Sequence, residues 1–286
     1  MMSMQVVTSI SEMQARARRW RQMGLRTAFV PTMGNLHAGH LDLVEAARAA
    51  AERVVVSIFV NPLQFDEAED FATYPRTLEA DLAKLRECDV DAVFTPGEET
   101  LYPRGREGIS LVEVPGLGEI LEGAHRPGHF RGVTTVVAKL FHIVQPEVAV
   151  FGEKDFQQLL IIRRMVADLD FPVTILARPT VREADGLAMS SRNRRLDPGQ
   201  RKIAPALYRV LRETAEQVRT GGTAAGLERE AMIRLEKAGF RPEYVAIRAE
   251  DDLGPPRPDA PGVVLGAARL GPVRLIDNVR IETLTE

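Results

Sequence analysis

One cysteine, Cys88, is the whole of the thiol chemistry in this chain. That excludes an intrachain disulfide and any Cys-x-x-Cys redox or zinc site. With no histidine beside it in sequence, Cys88 reads as a structural residue at a helix end and not as a nucleophile. Positive charge is not in excess: 37 Lys and Arg against 40 Asp and Glu leave a formal net charge of −3, so no broad field attracts nucleic acid. No apolar run reaches the length of a membrane span, and the N-terminus lacks the basic-then-apolar order of a secretory signal. These absences lead to the expectation of a cytoplasmic protein with no nucleic-acid or membrane partner.

Several nucleotide and catalytic motifs are missing too. There is no Gly-x-x-x-x-Gly-Lys-Ser/Thr loop, so an ATP site would have to use other residues. Gly116-Leu117-Gly118 lacks the third glycine of a dinucleotide fingerprint, and no Gly-x-Ser-x-Gly context supports a serine nucleophile. His125 and His129 have i,i+4 spacing, but Pro127 and Gly128 argue against one helix holding both toward zinc. A loop near a site, or a structural turn, fits them better.

What remains is an ordinary globular mixture, 45% hydrophobic and 27% charged over 286 residues, enough for one large domain or two modest ones. Strand-like runs at 28–33, 54–60, 91–94, 148–151 and 173–177 alternate with helix-like patterns at 41–52, 77–88, 133–144 and 156–168. This predicts an α/β fold with a parallel sheet covered on both faces. The character changes after about Ala184. Two amphipathic helices are expected at 200–219 and 223–238, then strands at 242–248, 263–269 and 273–276, with a proline-rich loop at 254–262. That reads as a second, smaller α+β domain.

The most informative segment is Pro31-Thr32-Met33-Gly34-Asn35-Leu36-His37-Ala38-Gly39-His40, between the first long strand and a helix. A helix mouth offers unpaired N–H groups and partial positive charge, glycines let backbone approach a ligand, and His37 and His40 can add hydrogen bonds or charge. A phosphate site is one reading; a strand-to-helix turn with two surface histidines is the other. Asn61-Pro62-Leu63-Gln64-Phe65 ends the second long strand, where Gln64 could bind a hydroxyl or carboxylate or be a solvated turn residue. Residues 65–76 form a charged loop that suits either a lid or a passive connection. Phe151-Gly152-Glu153-Lys154-Asp155-Phe156-Gln157-Gln158 repeats the strand-end pattern: Lys154 could meet phosphate, and Asp155 could cap the helix or help hold a nucleotide-bound metal. Near the domain junction, Val181, Arg182 and Met189-Ser190-Ser191-Arg192-Asn193 could clamp a polyphosphate, or the serines could be ordinary caps.

In order, these blocks, with Glu122-Gly123-Ala124-His125-Arg126-Pro127-Gly128-His129-Phe130 and Arg274-Leu275-Ile276-Asp277-Asn278, resemble the pantoate–β-alanine ligase (pantothenate synthetase) family of the HIGH-type nucleotidylyltransferase superfamily. The resemblance covers nearly the whole chain. One difference is His142, where the family more often has asparagine. The resemblance implies a Rossmann-like ATP- and pantoate-binding domain over 1–183 and a C-terminal domain over 184–286 closing over the site. It also implies a homodimer using ATP with Mg2+ to join pantoate to β-alanine through pantoyl adenylate. ATP would be bound by Met33, Gly34, Asn35, Leu36, His37, Ala38, Gly39, His40, Gly152, Glu153, Lys154, Asp155, Val181, Met189, Ser190, Ser191 and Arg192. His37, His40 and Lys154 would be catalytic, with His37 as proton donor to pyrophosphate. Gln64 and Gln158 would bind pantoate, with Gln64 also near β-alanine. No protein-held metal site is expected. The residues alone also admit a nucleotidylyltransferase that stops after nucleotide transfer, or a regulatory nucleotide-binding module; a nicotinamide dehydrogenase lacks its glycine fingerprint.

Overall fold

The structure is a computed structural model describing residues 4–66 and 68–281. Its first unit runs β1 (Gln5–Val7), α1 (Ile10–Gln22), β2 (Thr27–Thr32), α2 (Ala38–Ala50), β3 (Arg53–Ile58), α3 (Ala68–Thr73), α4 (Leu78–Glu87) and β4 (Ala92–Phe94). It continues through α5 (Glu98–Leu101), α6 (Glu122–His125), α7 (His129–Val144), β5 (Val148–Gly152), α8 (Phe156–Asp168) and β6 (Thr174–Arg178). The six strands form a parallel sheet in the order β1-β4-β3-β2-β5-β6.

Strand sequences such as Arg53–Ile58 are apolar on both faces, as a covered parallel sheet requires. Phe29, Val55 and Phe94 join one core with α1 and α7, while Ala28, Val30, Val54 and Val56 join another with α2 and α4. Helix α7 is apolar nearly all round, and thirteen of its sixteen residues are buried. The strand order reverses at β2: β3 lies on one side and β5 on the other. Such a switch point opens a crevice beyond the strand ends. Here it brings the chain after Thr32 beside the chain after Gly152, segments more than a hundred residues apart in sequence.

The second unit contains α9 (Pro198–Ile203), α10 (Ala206–Arg219), α11 (Ala224–Lys237), β7 (Arg241–Ala249), β8 (Gly262–Leu270) and β9 (Val273–Ile281). Its strands form an antiparallel sheet in the order β7-β8-β9, and α10 and α11 share a core with it. The proline-rich segment is an irregular connection between β7 and β8, as expected.

Several boundaries differ from expectation. The helix expected over 200–219 is two, because Pro205 has no N–H to continue the ladder and instead opens α10. Helices α2 and α7 begin earlier than their apolar patterns, at Ala38 and His129, since their first turns are fixed by caps and glycines. Strand β9 runs to Ile281 because β8 pairs with it along its full length. Strand β1 and helix α1 were not anticipated; α1 buries Met13, Ala17 and Trp20 among many arginines that dilute its apolar signal.

Candidate active site

Between the units lies a cleft of about 610 Å3 that collects most of the expected residues. Met33, His37, Gly39, His40, Gln64, Gly152, Lys154, Asp155, Gln158, Val181, Met189, Ser190, Ser191 and Arg192 all line it. Gly34, Asn35, Leu36, Ala38 and Glu153 do not. Asn35 and Leu36 are buried and donate both amides to the carboxylate of Asp81, at 2.8 Å each. Glu153 turns to Arg280 at 2.9 Å.

The helix mouth is organised by its own imidazoles. His37 is the N-cap of α2, and its Nδ1 accepts from the Gly39 amide at 3.2 Å. His40 Nδ1 accepts from the His37 amide at 3.3 Å, and the His40 and Leu41 amides donate to the His37 carbonyl. The amides of His37, Gly39, His40 and Leu41 are thus paired inside the turn. What faces the cleft is imidazole. Since each Nδ1 accepts, each neutral ring carries its proton on Nε2. The ring centroids lie 4.1 Å apart. Burial, then Lys154, lowers His37 to about 4; burial, then His37 and Lys154, lowers His40 to about 3. Both are uncharged hydrogen-bond donors at neutral pH.

Lys154 rides a 3-10 turn between β5 and α8. Asn278, on β9, fixes that turn by donating its Nδ2 to the carbonyls of Glu153 (2.8 Å) and Lys154 (3.0 Å). Asp155 stands at the N-cap position of α8 but makes no capping bond, and its carboxylate is half exposed in the cleft. Opposite lies the 181–192 segment, folded back by the Arg182–Ala188 bridge. Ser190 does cap, accepting from the Arg192 amide at 3.3 Å. Arg192 and Arg195 both bind Asp70 of α3, at 2.9 and 3.0 Å, and Phe65 packs edge-on against Phe71 and Tyr74. Burial pushes the Asp70 pKa up, but the two guanidiniums outweigh it and hold it below the usual carboxylate range. The 65–76 segment, residue 67 aside, is therefore tied to the serine–arginine turn across the cleft.

Gln64 is held from behind. Asn61, almost fully buried, donates to Gln64 Oε1 (3.0 Å) and to the Gly132 carbonyl (3.1 Å), and accepts from the Tyr102 hydroxyl (2.8 Å). His129 Nδ1 donates to the Gln64 carbonyl at 2.8 Å, since a carbonyl can only accept. Burial, then Arg126, lowers the His129 pKa to about 4. His125 instead stacks on Tyr244 at the end of α6. Gly128, at φ +82°, separates the two helices, so no single helix holds the pair. Gln157 and Gln158 have different tasks. Gln157 is buried and donates to the Leu117 and Ile120 carbonyls, whereas the Gln158 side chain lines the cleft and makes no hydrogen bond among the described residues.

Asp81 and Lys84 brace the site without any signal in the sequence around them, whereas Asn61, Glu122, Arg126, Arg182, Arg274 and Asp277 lie in the motif blocks, though their partners were not legible there. Asp81 and Lys84 act on Asn35 and Leu36, more than forty residues away in the chain. Asp277 grips Arg182 through bonds of 2.7 and 2.9 Å. Glu122 accepts from Arg274 at 2.6 Å and from Arg126 at 3.3 Å. These pairings are visible only once the fold assembles them.

Neutral donors, a lysine and two arginines around one cleft can grip a polyphosphate, and amides beside them can read a small polar acid. No group of three metal-ligating side chains occurs among the described residues, nor a helix long and apolar enough to cross a membrane. The family profile of pantoate-beta-alanine ligase matches residues 5–280. A pantothenate synthetase of Thioalkalivibrio sulfidiphilus is 59% identical, with 98% of each chain covered. The crystal structure of pantothenate synthetase from Thermus thermophilus superposes with a TM-score of 0.88 at 49% identity, covering 97% of this chain and 99% of that one. A pantoate-beta-alanine ligase from Francisella tularensis, complexed with beta-gamma ATP and beta-alanine, gives 0.84 at 34% identity, covering 98% and 99%. Sequence and fold coincide over essentially the whole chain, which belongs to the pantoate–β-alanine ligase family.

Proposed function

We propose that this enzyme condenses pantoate with β-alanine in two steps within the cleft, consuming ATP. The pantoate carboxylate attacks the α-phosphorus of ATP, forming pantoyl adenylate and releasing pyrophosphate. The amine of β-alanine then attacks the acyl carbon, forms the amide of pantothenate and expels AMP. A free carboxylate is a poor acyl donor, and the adenylate supplies the leaving group.

The observation that carries this reading is the meeting of His37, His40, Lys154 and Ser190–Arg192 around one cleft that also holds Gln64 and Gln158, in a chain of this family. Charge accumulates on the phosphates in the first step, so fixed donors contribute most there. Lys154 faces the phosphates as a point charge. His40 and His37 donate from Nε2, and His37 supports the departing pyrophosphate. The negative charge of bound ATP raises both histidines from their low values, which favours proton sharing with that leaving group. Met33–His40, Gly152–Asp155, Val181 and Met189–Arg192 form the ATP side, Asn35 and Leu36 by shaping the turn. Gln64 and Gln158 take pantoate, with β-alanine beside Gln64.

Asp155, which makes no capping bond and faces the cleft, would be the carboxylate available to help hold a nucleotide-bound Mg2+, an ion that asks for only one or two protein carboxylates. The ion would neutralise phosphate charge. Residues 1–183 hold ATP and pantoate, and 184–286 close over them. The 65–76 segment shields the adenylate from water. A cytoplasmic homodimer is the setting.

ATP–pyrophosphate exchange tests the first step, with product mass analysis for the second. Pantoate-dependent exchange without β-alanine, and pantothenate plus AMP with it, are expected. ATP binding without exchange would overturn the adenylate route.

A further inference from the structure

We propose that Asp81 and Lys84, which lie outside the cleft, are positioning residues for the adenylation step: they lock the turn that aims His37 and His40. This rests on the adenylation reading above. Asp81 is fully buried on α4, yet no Lys or Arg forms a salt bridge with it among the described residues. Its carboxylate is held by the amides of Asn35 and Leu36 and by the Thr77 hydroxyl at 3.0 Å. A buried carboxylate persists only if such donors replace its water.

Lys84 lies one helical turn on, on the same face, and donates its Nζ to the Leu36 carbonyl at 2.5 Å. Both polar groups of Leu36, the residue preceding the N-cap histidine, are therefore gripped by α4. Asn35 and Gly34 adopt φ of +51° and +80°, and a Cβ on Gly34 would meet Ile58 Cγ2 at 3.0 Å and Asp81 Oδ2 at 3.1 Å. A non-glycine residue in the left-handed region has to be held there. The chain direction entering α2, and hence both imidazoles, is set by this clamp and not by the loop itself.

The mechanism uses those imidazoles on phosphates, so misdirecting them harms the first half-reaction selectively. Asp81→Asn presents an N–H2 to one of two amide donors and breaks that bond. Lys84→Met removes the carbonyl cap together with a positive charge that acts on both imidazoles. Pantoate-dependent ATP–pyrophosphate exchange and aminolysis of synthetic pantoyl adenylate by β-alanine are measured in both variants, with folding checked by circular dichroism. Exchange is expected to fall about 100-fold in Asp81→Asn and about 10-fold in Lys84→Met. Aminolysis should stay within about threefold of the parent. Equal losses in both half-reactions, or exchange within about threefold of the parent in the folded variants, overturn the proposal. If Asp81→Asn does not fold, a selective loss of exchange in Thr77→Val decides, since that change removes a hydroxyl donor to Asp81 and no charge. An unaltered enzyme that shows no exchange overturns the adenylation reading, and this proposal with it.

Discussion

Asp277 and Arg182 meet through two parallel hydrogen bonds, 2.7 and 2.9 Å long, with the Arg182 guanidinium also lying 3.6 Å from the centre of the Tyr208 ring. The same guanidinium donates to the carbonyls of Gly186 and Asn278. One ion pair thereby joins β9, α10 and the segment leading to the serine–arginine turn.

Asp277 is 4% exposed, so removing it strands a paired charge. Asp277→Ala should cost about 3–5 kcal/mol of unfolding free energy, read by urea denaturation. A loss below about 1 kcal/mol would show that the pair is not what joins these segments.

Lys154→Ala should remove on the order of 2–4 kcal/mol of transition-state stabilisation from adenylation, measured by single-turnover pyrophosphate release. Asn278→Asp replaces the donor to two carbonyls with an acceptor, and should slow the same step by about 10-fold while Lys154 remains. Unchanged adenylation in both variants would remove Lys154 from the phosphate site.

Gly132 on α7 has no room for a side chain. A Cβ there would lie 2.2 Å from the Leu63 carbonyl oxygen and 2.8 Å from the Gln64 amide nitrogen, both backbone atoms. Gly132→Ala should displace the turn carrying Gln64, costing about 1–3 kcal/mol of stability. The KM for pantoate should rise more than the KM for ATP, as steady-state kinetics would reveal.

The histidines give stability a pH dependence. His37 and His129 are lowered to about 4 and His40 to about 3, whereas the unfolded chain protonates them near 6.5. Between those values the unfolded state binds more protons, so stability is complete above about 6.5 and is lost as pH falls toward 4. The decline from pH 7 to 5 should be on the order of 4 kcal/mol, with partly exposed His37 contributing least. Denaturant titrations at the two pH values check it. Saturating ATP should shrink the effect if its phosphates favour protonated His37 and His40.

Much of the chemistry was legible along the chain because turns and strand ends are local. Gly34 and the two histidines mark a strand-to-helix turn by residue type, and Lys154 marks another. The strand alternation foretold the parallel sheet, since covered strands must be apolar on both faces. Pro205 marked a helix break that the amphipathic pattern around it hid.

Residue types along the chain fix the inventory of the site: which groups could bind phosphate, which could read a polar acid, and that disulfide chemistry is excluded. How those groups work follows from contacts made through space. Strand order, a long-range property, brings the ends of β2 and β5 together at the switch point. Burial and Lys154 keep His37 and His40 neutral, and their contacts with backbone amides put the proton on Nε2. The carboxylate of Asp81 consumes amides that the isolated turn would have left for a ligand. Each of these depends on atoms far apart in the chain, because dielectric, charge and hydrogen-bond partners act through space and have no trace in local residue order.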